Sequence, residues 1–129
     1  MGLRELADGV HSNSMVNCEL SILGPVQITN AAISSNLYRI AQEAVRNALK
    51  HSGAKNITIL LQGLDPGLDL KIKDDGGGLP KEPSRRGLGL EIMKYRAASI
   101  GGHLNIACSH GAGTLVHFRL AQTRPLTPN

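Results

Sequence analysis

Two polar residues in the middle of the chain have types and spacing that suit metal and phosphate chemistry. Glu43 and Asn47 are four residues apart in a segment with helical periodicity, so their side chains share one face of the helix. A carboxylate and an amide oxygen one turn apart are hard ligands for Mg²⁺ and its waters, and the carboxylate can also orient or deprotonate an attacking group. Taken alone, the pair favours an ordinary interpretation, in which Glu43 pairs with Arg39 or Arg46 on the surface.

A glycine-rich loop begins where an alternating apolar and polar segment ends. Its first residue, Asp74, can accept a hydrogen bond from an exocyclic amine, which adenine offers at N6 and guanine does not. The consecutive glycines from Gly76 to Gly78 let a ligand approach the backbone closely. The same residues are also good turn formers, so a simple flexible turn is the alternative interpretation.

A second glycine motif, Gly87-Leu88-Gly89, leads directly into a predicted helix. Glycines at this place free the first backbone N–H groups of the helix to bind phosphate, with help from the helix dipole. Two familiar phosphate motifs are excluded. The chain has no Gly-Lys-Ser/Thr, and the motif lacks a third glycine at Ile92 and follows a loop rather than a strand.

Hydrophobic periodicity predicts the elements that would position these residues. The segment from Leu37 to His51 follows a helical pattern, with Ser34 or Ser35 as its N-cap and Gly53 at its end. The order of elements predicts an α+β fold with a mostly antiparallel sheet and helices on one face. The other predicted elements are a helix over Leu3 to His11, strands over Val16 to Ile22 and Val26 to Thr29 around a turn, a hairpin of Ile57 to Leu61 with Leu68 to Ile72, a helix over Leu88 to Ile100, and strands over Leu104 to Ala107 and Thr114 to Leu120.

Length and composition predict one soluble domain. The chain has 129 residues, of which 41% are hydrophobic and 19% are charged. It has no apolar run near the roughly 18 to 20 residues that cross a bilayer, and its beginning has no signal-peptide pattern. These features predict a cytoplasmic location. Its net charge of +4 comes with only two tyrosines, one phenylalanine and no tryptophan, so a stacking surface for nucleic acid is not expected. Cys18 and Cys108 are expected to be free thiols.

The order of these motifs resembles the ATPase domain shared by bacterial histidine kinases, DNA gyrase B subunits, heat-shock chaperones and MutL proteins. The likeness is greatest to sensor histidine kinases of the nitrate-sensor type. Their N box is similar to residues 37–51, their first glycine box to residues 74–78 and their second to residues 87–90. Gly113-Thr114 is similar to the Gly-Thr pair that opens the last strand. The resemblance spans residues 37–120, most of the chain.

This resemblance implies a two-layer α/β sandwich of the Bergerat type that binds ATP and Mg²⁺. Asn47 would be a magnesium ligand, and Glu43 would act either as a general base or as a residue that helps hold the metal. Asp74 would accept a hydrogen bond from adenine N6, with the Thr114 hydroxyl beside it. The other implied ATP-binding residues are Lys50, His51, Gly76, Gly78, Gly87, Leu88 and Gly89.

Such kinases transfer the γ-phosphate to a histidine on a separate dimerising hairpin, and an acidic residue usually follows that histidine. None of the five histidines here precedes an acidic residue, so the phosphoacceptor is expected to lie outside this sequence. We accordingly interpret residues 1–15 as the remnant of a preceding helical region, 16–121 as the catalytic domain and 122–129 as a flexible tail.

The implied partners are the dimerisation domain of the same protein and a response regulator. The full-length protein could be anchored in a membrane, whereas the isolated domain is expected to be a monomer without membrane or nucleic-acid contacts. The predicted function is thus the ATP-binding catalytic domain of a two-component sensor histidine kinase. Two alternatives stay open: a serine kinase of the anti-sigma-factor type, which uses the same fold without the hairpin, and a non-catalytic nucleotide-binding module.

Overall fold

The computed structural model describes residues 2–26, 28, 30–64, 66–77, 88–109 and 113–121. In these residues five strands form one sheet in the order β1-β2-β3-β5-β4. The strands are β1 (Asn17–Leu23), β2 (Asn56–Gly63), β3 (Leu68–Asp74), β4 (His103–Ser109) and β5 (Gly113–Leu120). The helices are α1 (Leu3–Asn13), α2 (Ala31–Asn47), which a single π-helical turn (Ala48–Ser52) continues, and α3 (Gly89–Ser99).

One face of the sheet carries the core. In β3 the side chains of Leu68, Leu70 and Ile72 are buried against the helices, because alternate residues of a strand point to opposite faces. The buried residues of all three helices belong to the same hydrophobic cluster. Strands β1 and β2 pair in parallel and the other neighbours are antiparallel. The α+β, two-layer sandwich with a mixed and mostly antiparallel sheet is therefore confirmed.

Helix α2 begins earlier than the sequence suggested. Asn30 is its N-cap, and the Asn30 side-chain oxygen accepts hydrogen bonds from the backbone N–H groups of Ala32 (2.8 Å) and Ile33 (3.1 Å). The prediction of Ser34 or Ser35 as the N-cap was wrong. The buried side chain of Ile33 extends the apolar face toward the N-terminus, and asparagine is as good an N-cap as serine. The expected helix end at Gly53 is confirmed, with a φ of 64°.

The expected second strand over residues 26–29 is absent at Val26 and Ile28, and residues 27 and 29 lie outside the described part of the chain. Val26 and Ile28 lie outside any strand, and β1 pairs instead with β2, which follows it only after the whole of α2. Val26 and Ile28 still pack on the core, so their alternation reflects side-chain burial without a backbone ladder. The hairpin of β2 with β3 is as expected.

Helix α1 packs on the same core through Ala7 and Val10. The assignment of residues 1–15 to a preceding region stays a prediction, and residues 122–129 lie outside the described part of the chain. Among the described helices, none combines the length and the apolar run needed to cross a bilayer.

The other face of the sheet carries one buried carboxylate. Asp69 of β3 is only 4% exposed, and its two oxygens accept hydrogen bonds from Nε (2.8 Å) and an Nη atom (2.9 Å) of Arg119 on β5. The Nε2 atom of His117 lies 3.2 Å from the same carboxylate. The hydrogen bonds from Arg119 lower the pKa of Asp69 to about 2. Because Asp69 faces away from the helices, this cluster holds β3 and β5 together on the outer side.

Candidate nucleotide-binding site

Asp74 is the last residue of β3 and lies on the helix-facing side of the sheet. Its register partners are Ile57 on β2 and Thr114 on β5, and both Asp74 and Thr114 are 7% exposed. Oδ1 of Asp74 accepts a hydrogen bond of 2.9 Å from the backbone N–H of Gly76, which is itself buried. Among the described residues, none donates a hydrogen bond to Oδ2.

The backbone of β5 begins directly against Asp74. Gly113 has a φ of +89°, a conformation that residues with a Cβ rarely adopt. A Cβ on Gly113 would overlap the backbone carbonyl oxygen of Asp74. The close approach of these two strands requires glycine here, and it sets Thr114 beside the carboxylate.

Glu43 and Asn47 lie on α2 and are both half-buried. Within the described residues, the Nδ2 atom of Asn47 is buried and has no hydrogen-bond partner. A buried donor without a partner costs on the order of 1–3 kcal/mol, which is a reason to expect a ligand there. Asn47 is the last α-helical residue before the π-helical turn, and such turns occur frequently at functional sites.

The carboxylate of Glu43 reaches the beginning of α3. A Cβ on Gly89 would overlap Oε1 of Glu43 and would lie 3.0 Å from its carboxyl carbon. The N-cap of α3 is Leu88, which is 72% exposed and gives no side-chain hydrogen bond to the helix. The carboxylate of Glu43 therefore lies against the first turn of α3.

A carboxylate to which the sequence analysis gave no role holds the two parts of the site together. Oδ1 of Asp75 accepts hydrogen bonds from the backbone N–H groups of Lys55 (2.8 Å) and Asn56 (2.9 Å), and Oδ2 accepts one from the Asn56 side chain (2.8 Å). The hydrogen bonds from Asn56 lower the pKa of Asp75 to about 2. This clamp fixes the segment that follows the Asn47 helix to the residue that follows Asp74.

The structure brings several predicted residues together in two groups. Asp74, Gly76 and Thr114 are adjacent, and Glu43 contacts Gly89. Lys50 is exposed in the π-helical turn. His51 belongs to the same turn, but its side chain is outside the described part of the molecule, as are Gly78 and Gly87.

The residues present fit a magnesium ion that arrives with a nucleotide. Glu43 and Asn47 offer one carboxylate and one amide group, and Mg²⁺ commonly takes one or two protein ligands together with phosphate oxygens and waters. In the described ranges, no cluster of three or more His, Cys, Asp or Glu side chains could hold a metal ion by itself. The assignment of these ligands stays a prediction.

The sequence of the chain is similar to the sequences of sensor proteins from other bacteria. The chain is 35% identical over 125 residues to the nitrate/nitrite sensor protein NarQ of Escherichia coli, covering 93% of this chain and 22% of that protein. It is 31% identical over 120 residues to the sensor histidine kinase LiaS of Bacillus subtilis, covering 92% of this chain and 33% of that kinase. The chain therefore spans about a third or less of these relatives.

Solved structures have the same fold. The histidine kinase domain of the Erythrobacter litoralis EL346 blue-light activated kinase superposes with a TM-score of 0.74 at 18% identity, covering 90% of this chain and 56% of that one. The ATP binding domain of PrrB from Mycobacterium tuberculosis superposes with a TM-score of 0.67 at 25% identity, covering 91% and 88%. Residues 32–124 match the family of histidine kinase-, DNA gyrase B-, and HSP90-like ATPases. With this match across most of its length, the chain belongs to that ATPase family.

Proposed function

We propose that this chain is the ATP-binding catalytic domain of a two-component sensor histidine kinase. It would bind Mg-ATP and donate the γ-phosphate to a histidine on a separate dimerisation domain, with a response regulator as the later partner. The observation that carries this proposal is the buried Nδ2 atom of Asn47, which has no hydrogen-bond partner among the described residues. The hydrogen bonds of Asp75 tie the segment after this helix to the end of β3, where Asp74 lies. The assignment to two-component signalling rests on the similarity to the sensor proteins NarQ and LiaS.

The adenine would be recognised by Asp74. Because Oδ1 is engaged by Gly76, Oδ2 is the oxygen that can accept from the exocyclic amine of adenine. Guanine presents a carbonyl oxygen at that position, and two acceptors would then face each other in a buried place. This arrangement predicts selection of ATP over GTP by about 3 kcal/mol, or about a hundredfold in affinity.

The phosphates would lie between α2 and α3. The exposed amine of Lys50 and the buried amide of Asn47 offer donors from the C-terminal end of α2, and the uncapped N–H groups near Gly89 offer donors from α3. Magnesium, when bound, would neutralise charge on the phosphate oxygens. Glu43 and Asn47 are the residues of this chain that would hold it.

The transfer itself would be an in-line displacement. A nitrogen of the acceptor imidazole attacks the γ-phosphorus, the bond from phosphorus to the β,γ-bridging oxygen breaks, and ADP leaves with that electron pair. The imidazole loses its ring proton. Glu43 would either take that proton or help hold the metal. Glu43→Gln separates these roles, because glutamine keeps an oxygen ligand and cannot serve as a base.

The test is transfer of labelled phosphate from ATP to a histidine-bearing dimerisation hairpin supplied in trans. We expect acid-labile phosphohistidine with the wild-type chain and at least about a tenfold lower rate with Asn47→Ala, since one phosphate or metal contact is lost. Asn105→Ala is the matched control, because Asn105 is an exposed residue of β4. A rate that is insensitive to Asn47→Ala would refute the kinase assignment, and phosphoserine would favour the serine-kinase alternative.

A further inference from the structure

A second concave surface lies between α1 and α2, away from the nucleotide site. It is a groove of about 520 Å³, which is within the size range of small-molecule sites. Its floor and walls are mainly apolar and include Leu6 and Val10 from α1 and Val45 and Leu49 from α2. Val10 and Val45 are buried at its floor, whereas Leu49 at its edge is 39% exposed.

The two ends of this α1–α2 groove carry opposite charges. Helix α1 leads into β1 and helix α2 leads into β2. The first residues of these two parallel strands pair with each other, so the C-terminal ends of both helices lie at the same end of the groove. Arg46 and Lys50 line the groove at that end, and Glu5 lines the other. Neither the guanidinium of Arg46 nor the amine of Lys50 has an ion-pair or hydrogen-bond partner among the described residues.

A glycine inside a helix keeps the groove open. Gly9 lies in the interior of α1 and lines the groove. Glycine at such a position disfavours the helix, so a packing reason is expected for it. Close packing within the fold is not that reason, because no atom of the described residues lies within 4 Å of the place where its Cβ would be. A larger side chain at residue 9 would fill space that is now available to a ligand.

We propose that the α1–α2 groove binds a small amphiphile with an anionic head group and an apolar tail. The tail would lie over Val10 and Val45, and the head group would lie at the end that carries Arg46. This choice of ligand follows from the charge asymmetry of an otherwise apolar groove. A cationic head would meet two positive groups, whereas an anionic head can accept charge-assisted hydrogen bonds from them.

This site would be distinct from the nucleotide site, although the two share helix α2 and both border on Lys50. Gln42 and Arg46 line the groove, whereas Glu43 contacts Gly89 on the side of α3. Successive helical residues are about 100° apart, so the two sets point in different directions from α2. The inference therefore does not depend on the proposed kinase activity.

The test uses decanoate as the probe, with decanol as its uncharged match and decylamine as its cationic match. Binding is followed by the backbone amide signals of the isotope-labelled chain in NMR titrations. We expect decanoate to shift the signals of Gly9, Val10, Val45 and Leu49, also in the Asp74→Asn variant, and to bind about tenfold more tightly than decanol. We expect decylamine to bind more weakly than either.

Two variants decide the outcome. Gly9→Met should fold at least as stably as the wild type, because methionine favours helix, and should abolish decanoate binding; Gly2→Met, which does not line the groove, is its control. Arg46→Gln should weaken decanoate about tenfold and leave decanol unchanged. Unaltered decanoate binding in Gly9→Met, or equal affinities for decanoate and decanol in the wild type, would overturn the proposal. Shifts of the same amides with rising protein concentration alone would assign the groove to a second copy of the chain and would also overturn it.

Discussion

The carboxylate of Glu43 occupies the space in which a side chain on Gly89 would begin. Glu43 belongs to α2 and Gly89 to the first turn of α3, so two motifs that are far apart in the sequence meet at one point. A side chain at the second glycine of the Gly87-Leu88-Gly89 motif would therefore displace the carboxylate of Glu43. This contact gives the proposed site its most specific local test.

Gly89→Ala should displace the Glu43 carboxylate while leaving the fold intact. The overlapping atom is the end of a flexible side chain, and alanine is favourable in a helix, so the free energy of unfolding should change by less than about 1 kcal/mol. Phosphate transfer should fall about tenfold, because a misplaced catalytic carboxylate loses its alignment. Thermal unfolding and transfer rate measured on the same samples check both parts. If Gly89→Ala and wild type transferred phosphate equally fast, Glu43 would have no role that depends on this position.

Gly113→Ala should be much more harmful to stability. It combines a positive φ of +89° with an overlap against the backbone oxygen of Asp74, which cannot move away as a side chain can. We expect a loss of about 3 kcal/mol or more in urea denaturation. Gly101→Ala is the matched control, because Gly101 has a similar φ of 78° with nothing within 4 Å of its Cβ position, and should lose only about 1–2 kcal/mol. Equal losses in the two variants would show that the strand contact at Asp74 is unimportant.

The Asp75 clamp predicts an effect on nucleotide binding without direct contact to the nucleotide. Asp75→Ala removes the acceptor that holds the Lys55 and Asn56 backbone, so the C-terminal end of α2 can move relative to Asp74. The Kd for ATP should rise about three- to tenfold. Calorimetric titration measures this, and Asp8→Ala on the exposed side of α1 provides the control. An unchanged Kd in Asp75→Ala would mean that the clamp does not position the site.

The two carboxylates with lowered pKa values predict a specific acid sensitivity. Asp69 and Asp75 both have a pKa of about 2 in the folded chain, below the ordinary value of 3.8. Their stabilising contributions are therefore fully present above about pH 4 and are lost as the pH falls from about 4 to about 2. Urea denaturation across this range should show the wild type losing its stability advantage over Asp69→Asn and Asp75→Asn as the pH falls. A constant difference down to pH 2 would contradict these pKa shifts.

Hydrophobic periodicity was sufficient to predict the helix and the strand that carry the predicted site. The apolar face of α2 places Glu43 and Asn47 at its edge, and the alternation of β3 places Asp74 on the core side, so both follow from local sequence. The hairpin of β2 and β3 follows in the same way. These positions depend only on residues within the same element or its immediate neighbour.

The hydrophobic pattern of the sequence could not predict contacts between residues that are distant along the chain. The Asp75 clamp joins residues 19 and 20 positions apart, and the Asp69 cluster joins residues 50 apart, with no local signal for either. The parallel pairing of β1 was missed because an alternating segment at Val26 and Ile28 suggested a nearer partner. The pairing of β1 with β2 joins Asn17 to Asn56 across the whole of α2, so no local pattern indicates it.

Affinity of the Asp74→Asn variant for ATP tests the central assignment most directly. Asparagine can keep the hydrogen bond from Gly76 through its oxygen, but it then places an amide N–H₂ group where the adenine amine also donates. Calorimetric titration with Mg-ATP should show about a hundredfold weaker binding than wild type, with the circular dichroism spectrum unchanged. Equal ATP affinities for wild type and Asp74→Asn would contradict the placement of adenine at Asp74.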